Sequence, residues 1–359
     1  MDPIFLHMVQ EAEDAERQNQ LRLERRIFRD EQNAFELPER EFRKCFRLSR
    51  QLVQDLIRDL TPHMDAGIRA TRVPIHIRIL GALRFFAQGS YQKAGGNEMH
   101  VALSQPAFSR ALSEVCLALE AISHRWIKFP LNEAEKQEKK KSLWPRVIGC
   151  IDGTHIAIVA PRENEHLYFN RKQYHSKNVQ LICDANLVIL NVKSNYGGAT
   201  HDAFIWRNSN IKAHLEQMYN HGDHNSWLLG DSGYPQEPWL MTPIQGVPRD
   251  TPEGRYTAAL TSTRNCVERC IGVLKNRFRC LLKDRVLHYD PFKAGQIINA
   301  VSVLHNMCVR ANLAIEYDEE EQRNDEDVPD VDAAVIARNV LVQGQARRAN
   351  IIQLYFQNI

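Results

Sequence analysis

The feature that most constrains the fold is a change in the spacing of apolar residues near position 145. From Glu41 to Pro130, apolar residues recur every three or four positions, which predicts helices. Beyond the change, short apolar runs end at turn residues, which predicts strands. These runs are VIGCID, HIAIVA, VQLICDA, VILNVKSN and WLLGD. Helical patterns lie between and after them, so we expect an α/β fold with a mixed sheet flanked by helices, preceded by an all-α domain.

The length of 359 residues suggests two folded units with tails. We expect a polar lead-in at 1–40, a helical domain at 41–130 and the α/β domain at 145–312. Residues 313–332 are acidic with few apolar side chains, which predicts a disordered linker. Residues 333–359 form an amphipathic pattern, which predicts a helix that docks back or meets a partner.

Charge is distributed unevenly along a chain whose net charge is only +2. Residues 316–332 hold ten acids and one arginine, and residues 333–359 hold three arginines and no acid. The first 315 residues therefore carry a net charge of +8, which suits a polyanion-binding surface. No apolar run reaches 18 residues and the N-terminus is acidic, so we expect neither a membrane span nor a secretory signal.

Eight cysteines are scattered through the chain without a CxxC pair. Most lie within apolar runs, which predicts buried free thiols in a reducing compartment. Cys266, Cys270 and His288 could be imagined as zinc ligands, but their spacing matches no zinc finger. We therefore predict no zinc site.

Three acids stand where a sheet-based active site would need them. Asp152 ends the run VIGCI, Asp231 follows WLLG, and Glu268 lies in the helical pattern NCVERCIGVLKNRF. Carboxylates from two strands and one helix can hold Mg²⁺ or Mn²⁺ for phosphoryl displacement. The residues alone leave an alternative open, because a strand-end aspartate more often caps a turn and a helix glutamate beside arginines is usually a surface ion pair.

Basic residues near these acids are candidates for phosphate contacts. Arg171 and Lys172 lie in FNRKQYHSK, a basic and aromatic segment, and Lys275 lies one to two turns beyond Glu268. These cations could follow a DNA backbone past the site. A plain solvated loop explains the first segment equally well.

The segment from Tyr91 to Leu119 has the pattern of a helix-turn-helix. Ser104 would cap the second helix, leaving Gln105, Ser109 and Arg110 to face a DNA groove or phosphates. An ordinary helical hairpin fits the same pattern.

Four motifs in this order resemble the transposases of the PIF/Harbinger superfamily and the harbinger transposase-derived nucleases, over roughly residues 42–310: CIDGTHIAI, GGATHDAFIWRNS, GDSGYP and VERCIGVLKNRFRCL. The resemblance implies an RNase H-like sheet with Asp152, Asp231 and Glu268 as catalytic, metal-binding acids of a DDE endonuclease. It also places Asp202 in or near the metal shell. Asp184 ranks below these acids, because no motif of the superfamily places it at the metal.

The same resemblance implies how the protein works in the cell. It predicts DNA as the substrate, a separate Myb-like or MADF-type protein that aids DNA binding and nuclear import, and a nuclear location with room for a cytoplasmic pool. A homo-oligomer stays open. Two other functions also stay open: a DNA or chromatin adaptor that has lost the reaction, and a hydrolase of another phosphoester such as RNA.

Overall fold

The computed structural model describes residues 3–31, 33–67, 72–89, 102–140, 144, 146–314 and 338–357. The chain divides into two compact units, Met1–Ala118 and Leu119–Ile359. The glycine-containing turn of the predicted helix-turn-helix lies outside the described residues, and so does nearly all of the predicted acidic linker. No helix in the described ranges is long and apolar enough to span a membrane.

The first unit is helical throughout its described residues. Its helices are α1 (Pro3–Glu31), α2 (Glu39–Phe46), α3 (Arg50–Leu60) and α4 (Ile75–Gln88), followed by the start of α5 (Gln105–Trp126), which continues into the second unit. Phe42, Leu56 and Phe86 are among the fully buried side chains of its core. The described side chains of α1 are nearly all exposed.

The second unit is built on one five-stranded mixed sheet. Its strands are β1 (Val147–Ala157), β2 (Ser176–Cys183), β3 (Ile189–Gly197), β4 (Trp227–Leu229) and β5 (Leu240–Met241). Their order is β3-β2-β1-β4-β5. The first three strands pair antiparallel, whereas β4 pairs parallel with both β1 and β5. This arrangement confirms the predicted RNase H-like mixed sheet.

Helices flank this sheet. They are α6 (Glu133–Lys140), α7 (Asp202–Arg207), α8 (Asn210–Asn220), α9 (Pro252–Arg277), α10 (Pro291–Arg310) and α11 (Arg338–Phe356). Helix α9 contacts β1 and β2, and α10 contacts β3. Thr251 caps α9 by accepting a hydrogen bond from the Gly254 N–H, and Pro252 supplies a first residue with a preset φ.

Two element boundaries differ from the sequence predictions. The runs VIGCID and HIAIVA form a single strand, so Asp152 lies inside β1 and does not end it. Gly153 does not interrupt the strand, because ladder pairing with β2 continues through it from Cys150 to Ala157. The helical pattern after Asp202 is two helices, because the Ser209 hydroxyl accepts from the Lys212 N–H and starts a new helix.

The C-terminal amphipathic segment docks within the second unit, over its described part. Arg347 stacks over the Trp227 ring, 5.1 Å from its centroid, and the Gly344 carbonyl accepts a hydrogen bond from Gln236 Nε2 at 3.1 Å. A side chain at Gly344 would meet the backbone of Glu237 at 2.9 Å. The close approach of α11 to the loop before β5 therefore needs a glycine.

Candidate active site

The register between β1 and β4 brings Asp152 and Asp231 together. Cys150 on β1 lies opposite Leu229 on β4 in a parallel pair. Asp152 lies two residues further along β1, and Asp231 lies two residues past Leu229, just beyond the end of β4. The two carboxylates therefore lie side by side, close enough for each charge to affect the other. The Gly233 N–H donates to Asp231 Oδ1 at 3.0 Å, which fixes the turn that follows β4.

Asp202 joins these acids from the first residue of α7. Its Oδ1 accepts a hydrogen bond from Asn178 Nδ2 on β2 at 2.7 Å. Its carboxylate lies directly over Gly153, where an added Cβ would be 2.3 Å from Oδ1. Gly153 is therefore required for the close approach of Asp202 to β1, next to Asp152.

Burial and the neighbouring charged groups shift the pKa of Asp152. The pKa is raised to about 7, chiefly by burial; Arg264 lowers it, Asp231 and Asp202 raise it, and the Gly153 N–H lowers it. The Asp152 side chain is 16% exposed. Like charges in a poorly solvated place disfavour ionisation, so the site needs a compensating cation at neutral pH.

Tyr234 contributes a buried phenol near the three aspartates. Burial raises its pKa well above the ordinary value, and the carboxylates of Asp202, Asp152 and Asp231 raise it further. The phenol therefore stays protonated at every physiological pH.

Glu268 is linked to the other acids through Arg264. The Arg264 guanidinium donates from Nη1 to Asp152 Oδ2 at 2.9 Å and from Nη2 to Glu268 Oε1. Arg264 is 12% exposed on its side chain, whereas Glu268 is 50% exposed. The three aspartates thus lie together, and the Arg264 guanidinium lies between Asp152 and Glu268.

Hard divalent cations suit the donor set at this site. All four acids offer carboxylate oxygens, the ligands that Mg²⁺ and Mn²⁺ prefer. In the described residues no group of three or more His, Cys, Asp or Glu side chains is arranged as a ready metal cage. In this structure the Arg264 guanidinium supplies the positive charge between Asp152 and Glu268, and the Glu268 carboxylate faces Arg264. A divalent cation fits the same carboxylates, because it would supply positive charge in the same way.

Five of the six predicted DNA-contacting residues fall into two groups. Gln105 and Arg110 are exposed and Ser109 is half-buried, all in the first turns of α5. Arg171 and Lys172 are exposed on the loop between β1 and β2.

Arg171 and Lys275 differ in how accessible they are to a phosphate. Arg171 Nη2 lies 2.8 Å from the ring nitrogens of His201, the residue before Asp202. Lys275, by contrast, is only 8% exposed, because it lies on a side of α9 that packs into the unit. The Lys275 ammonium is therefore poorly placed to contact a DNA phosphate.

Sequence reasoning missed two groups that shape the site. Arg264 lies four residues before Glu268, a spacing that predicts an ion pair on a helix but no contact with Asp152. Its bond to Asp152 spans 112 residues and leaves no local signal. Asn178, which orients Asp202, likewise carries no motif.

The raised pKa of Asp152 predicts how stability depends on pH without metal. An exposed aspartate titrates near about 4, so between pH 4 and 7 the folded protein holds a proton that the unfolded chain has released. The free energy of unfolding therefore falls as the pH rises through this window. Asp152→Asn carries no such proton, so we expect its decline from pH 5 to pH 8 to be smaller than that of the wild type by about 2 to 3 kcal/mol.

Urea unfolding in chelator at the two pH values measures this difference. Asp250→Asn removes an exposed acid from the loop before α9 and should follow the wild type. Equal declines in the wild type and Asp152→Asn would contradict a raised pKa at Asp152.

The central strand β1 and its parallel neighbour β4 bring two aspartates together beside α9, a helix that carries a glutamate. This arrangement is typical of an RNase H-like nuclease of the DDE type. Residues 151–306 match the DDE superfamily endonuclease family. The chain belongs to that family, and the predicted resemblance to harbinger transposase-derived nucleases is confirmed.

Relatives from animals and a plant support this membership. The chain is 32% identical over 274 residues to "Putative nuclease HARBI1" of Homo sapiens. This match covers 74% of this chain and 76% of the human protein. The Xenopus laevis protein of the same name is 33% identical over 69% of this chain and 71% of its own length. "Protein ALP1-like" of Arabidopsis thaliana is 24% identical over 53% of this chain and 49% of its own. No solved structure matches the chain.

Proposed function

We propose that this protein is a divalent-metal-dependent DNA endonuclease that hydrolyses phosphodiester bonds, with Asp152 and Asp231 as the carboxylates that hold the metal. One observation carries the proposal: the parallel register of β1 and β4 places these two carboxylates side by side, where their mutual repulsion calls for a cation. Membership of the DDE superfamily endonucleases supports the reaction class.

Asp152, Asp231 and Asp202 would hold Mg²⁺ or Mn²⁺, with Glu268 as the fourth acid. A bound divalent ion supplies the charge that activates the attacking oxygen and stabilises the leaving oxygen. The chain's own residues orient that site: Asn178 fixes Asp202, the Gly233 N–H fixes Asp231, and Arg264 fixes Asp152. Asp152 must release its proton before it can act as a ligand, since its pKa is about 7.

Exposed basic and aromatic side chains support DNA as the substrate. Arg171 and Lys172 lie in the same loop as Phe169, whose ring is 48% exposed. Guanidinium and ammonium groups bind backbone phosphates, and an exposed ring can stack on an unpaired base. In the first unit, Gln105 and Arg110 offer exposed polar groups for the same purpose, with Ser109 beside them.

A DNA-binding adaptor without nuclease activity is the alternative. It is favoured by one observation, that Arg264 already neutralises Asp152 and pairs with Glu268. An adaptor would bind DNA and leave it intact under every metal condition. The partner of the Myb-like or MADF type, the nuclear location and a homo-oligomer rest on the resemblance alone and stay predictions.

Incubation of the full-length protein with labelled duplex DNA tests the proposal. We expect cleavage with Mg²⁺ or Mn²⁺, no cleavage with chelator, and recovery when excess metal is restored, because the carboxylates need the cation to act. DNA that is bound but uncut in both metals would contradict the nuclease and favour the adaptor.

A further inference from the structure

Two exposed phenylalanine rings lie on segments that meet just before α7. Phe169, on the loop between β1 and β2, is 48% exposed, and Phe204, on α7, is 49% exposed. The apolar neighbours of Phe204 on that helix, Ala203, Ile205 and Trp206, are all buried. A single exposed ring is common on a protein surface, whereas two on adjoining segments beside a candidate active site indicate a binding surface.

Two contacts join the β1–β2 loop to the segment before α7. The Ala199 N–H donates to the Leu167 carbonyl at 3.1 Å, and the Leu167 side chain is itself exposed. Arg171 Nη2 lies 2.8 Å from the ring nitrogens of His201, the residue before Asp202. The two exposed rings therefore belong to one stretch of surface that borders the first residue of α7.

Other rings and cations support the two exposed rings. The Tyr196 ring, on β3, lies 6.1 Å from the Phe204 ring in an edge-to-face arrangement at 84°. Lys193 Nζ lies 5.4 Å from the centre of the same tyrosine ring. The His175 ring lies 5.2 Å from the Phe169 ring. Each exposed phenylalanine is thus backed on one side and can stack on a flat group from the other.

The charges beside the rings favour a polyanion as the stacked ligand. Arg171 and Lys172 are exposed on the same loop as Phe169. The Glu165 carboxylate of that loop is engaged by His175 Nε2 at 2.8 Å. Rings beside cations fit nucleic acid, because bases stack on the rings and phosphates pair with the cations. In a continuous duplex the bases stack on one another, so only unpaired nucleotides can use the rings.

We propose that Phe169, Arg171, Lys172 and Phe204 form a stacking surface that binds unpaired nucleotides of the DNA substrate. Two unpaired bases stack on the two phenylalanine rings, and the arginine and the lysine contact the adjoining phosphates. The preferred substrate is therefore a DNA duplex that carries an unpaired stretch. The position of that stretch next to the cut rests on the proposed function, because Asp202 borders the stacking surface, whereas the binding does not.

Binding by the full-length protein in chelator, where no cleavage is expected, tests the stacking surface. One DNA is a fully paired duplex, and the other has the same sequence with a short unpaired stretch that contains 2-aminopurine. We expect the wild type to bind the second DNA about a hundredfold more tightly, since each stacked base contributes about tenfold. The 2-aminopurine fluorescence should fall on binding, because stacking on a ring quenches it.

Variants of exposed rings separate stacking from general DNA binding. Phe169→Ala and Phe204→Ala should each weaken binding of the DNA with the unpaired stretch by about tenfold and leave binding of the paired duplex unchanged. Both rings are half-exposed, so the fold should tolerate their loss. Phe292→Ala is the matched control, because Phe292 is 76% exposed at the start of α10, and it should keep the full preference.

Equal affinity of the wild type for the two DNAs would overturn the stacking surface, and so would a preference that survives in Phe169→Ala and Phe204→Ala. Tighter binding of the same unpaired stretch made of RNA would overturn DNA as its ligand. If the preference depends on both rings but neither Mg²⁺ nor Mn²⁺ yields cleavage, the nuclease proposal fails and the stacking surface stands.

Discussion

Replacing Asp231 by asparagine is expected to lower metal-dependent DNA cleavage on the order of a thousandfold or more, while DNA binding is retained. The substitution keeps the size of the side chain and removes one of the two adjacent carboxylates. A neutral amide cannot supply the negative charge that holds the cation between β1 and β4. Removing one of the repelling charges also relieves Asp152, so the fold should not be weakened.

Asp250→Asn is the control for this substitution, because it removes an exposed acid from a loop outside the group of aspartates. It should leave cleavage unchanged. Asp231→Asn protein that binds DNA and still cuts it at the wild-type rate would contradict the assignment of this carboxylate.

Replacing Arg264 by alanine is expected to destabilise the metal-free protein by about 3 to 5 kcal/mol at pH 8. Arg264 donates to Asp152 inside the unit, and its loss leaves a poorly solvated carboxylate without its counter-charge. The loss should be smaller at pH 5, where Asp152 holds a proton because its pKa is about 7. Mg²⁺ should restore part of the stability by replacing the missing charge.

Urea unfolding of Arg264→Ala measures the loss, with Arg269→Ala as the control. Arg269 lies on the same helix but is exposed, so its substitution should change stability little. The double variant Arg264→Ala/Asp152→Asn should regain most of the stability, since residue 152 then carries no charge and Glu268, which also loses its partner, is 50% exposed. Equal losses in Arg264→Ala and Arg269→Ala would contradict a structural role for the bond to Asp152.

The sequence predicted the sheet and two of its acids because the relevant signals are local. The runs VIGCI and WLLG are apolar enough to mark buried strands, and an acid after such a run must be compensated by charge. The strands beside them therefore make Asp152 and Asp231 candidates, and the family resemblance, not the strands, predicts their catalytic role. The register that makes them neighbours follows only from the pairing of β1 with β4.

The rest of the site depends on contacts between distant parts of the chain. Gly153 looks like a turn residue in the sequence, yet it continues β1 and makes room for Asp202, which lies 49 positions later. Lys275 looks like a free cation near Glu268, yet helix packing buries it. Local periodicity cannot assign such residues, because the face that a helix buries is chosen by its partners.

The central claim is that Asp152 and Asp231 together make this protein a metal-dependent nuclease. Cleavage of labelled duplex DNA by the wild type and by the Asp152→Ala/Asp231→Ala double variant, with Mg²⁺ or with chelator, tests it most directly. The account predicts cleavage by the wild type with Mg²⁺ alone, and DNA binding without cleavage by the folded double variant. Cleavage by the double variant at the wild-type rate would contradict the claim.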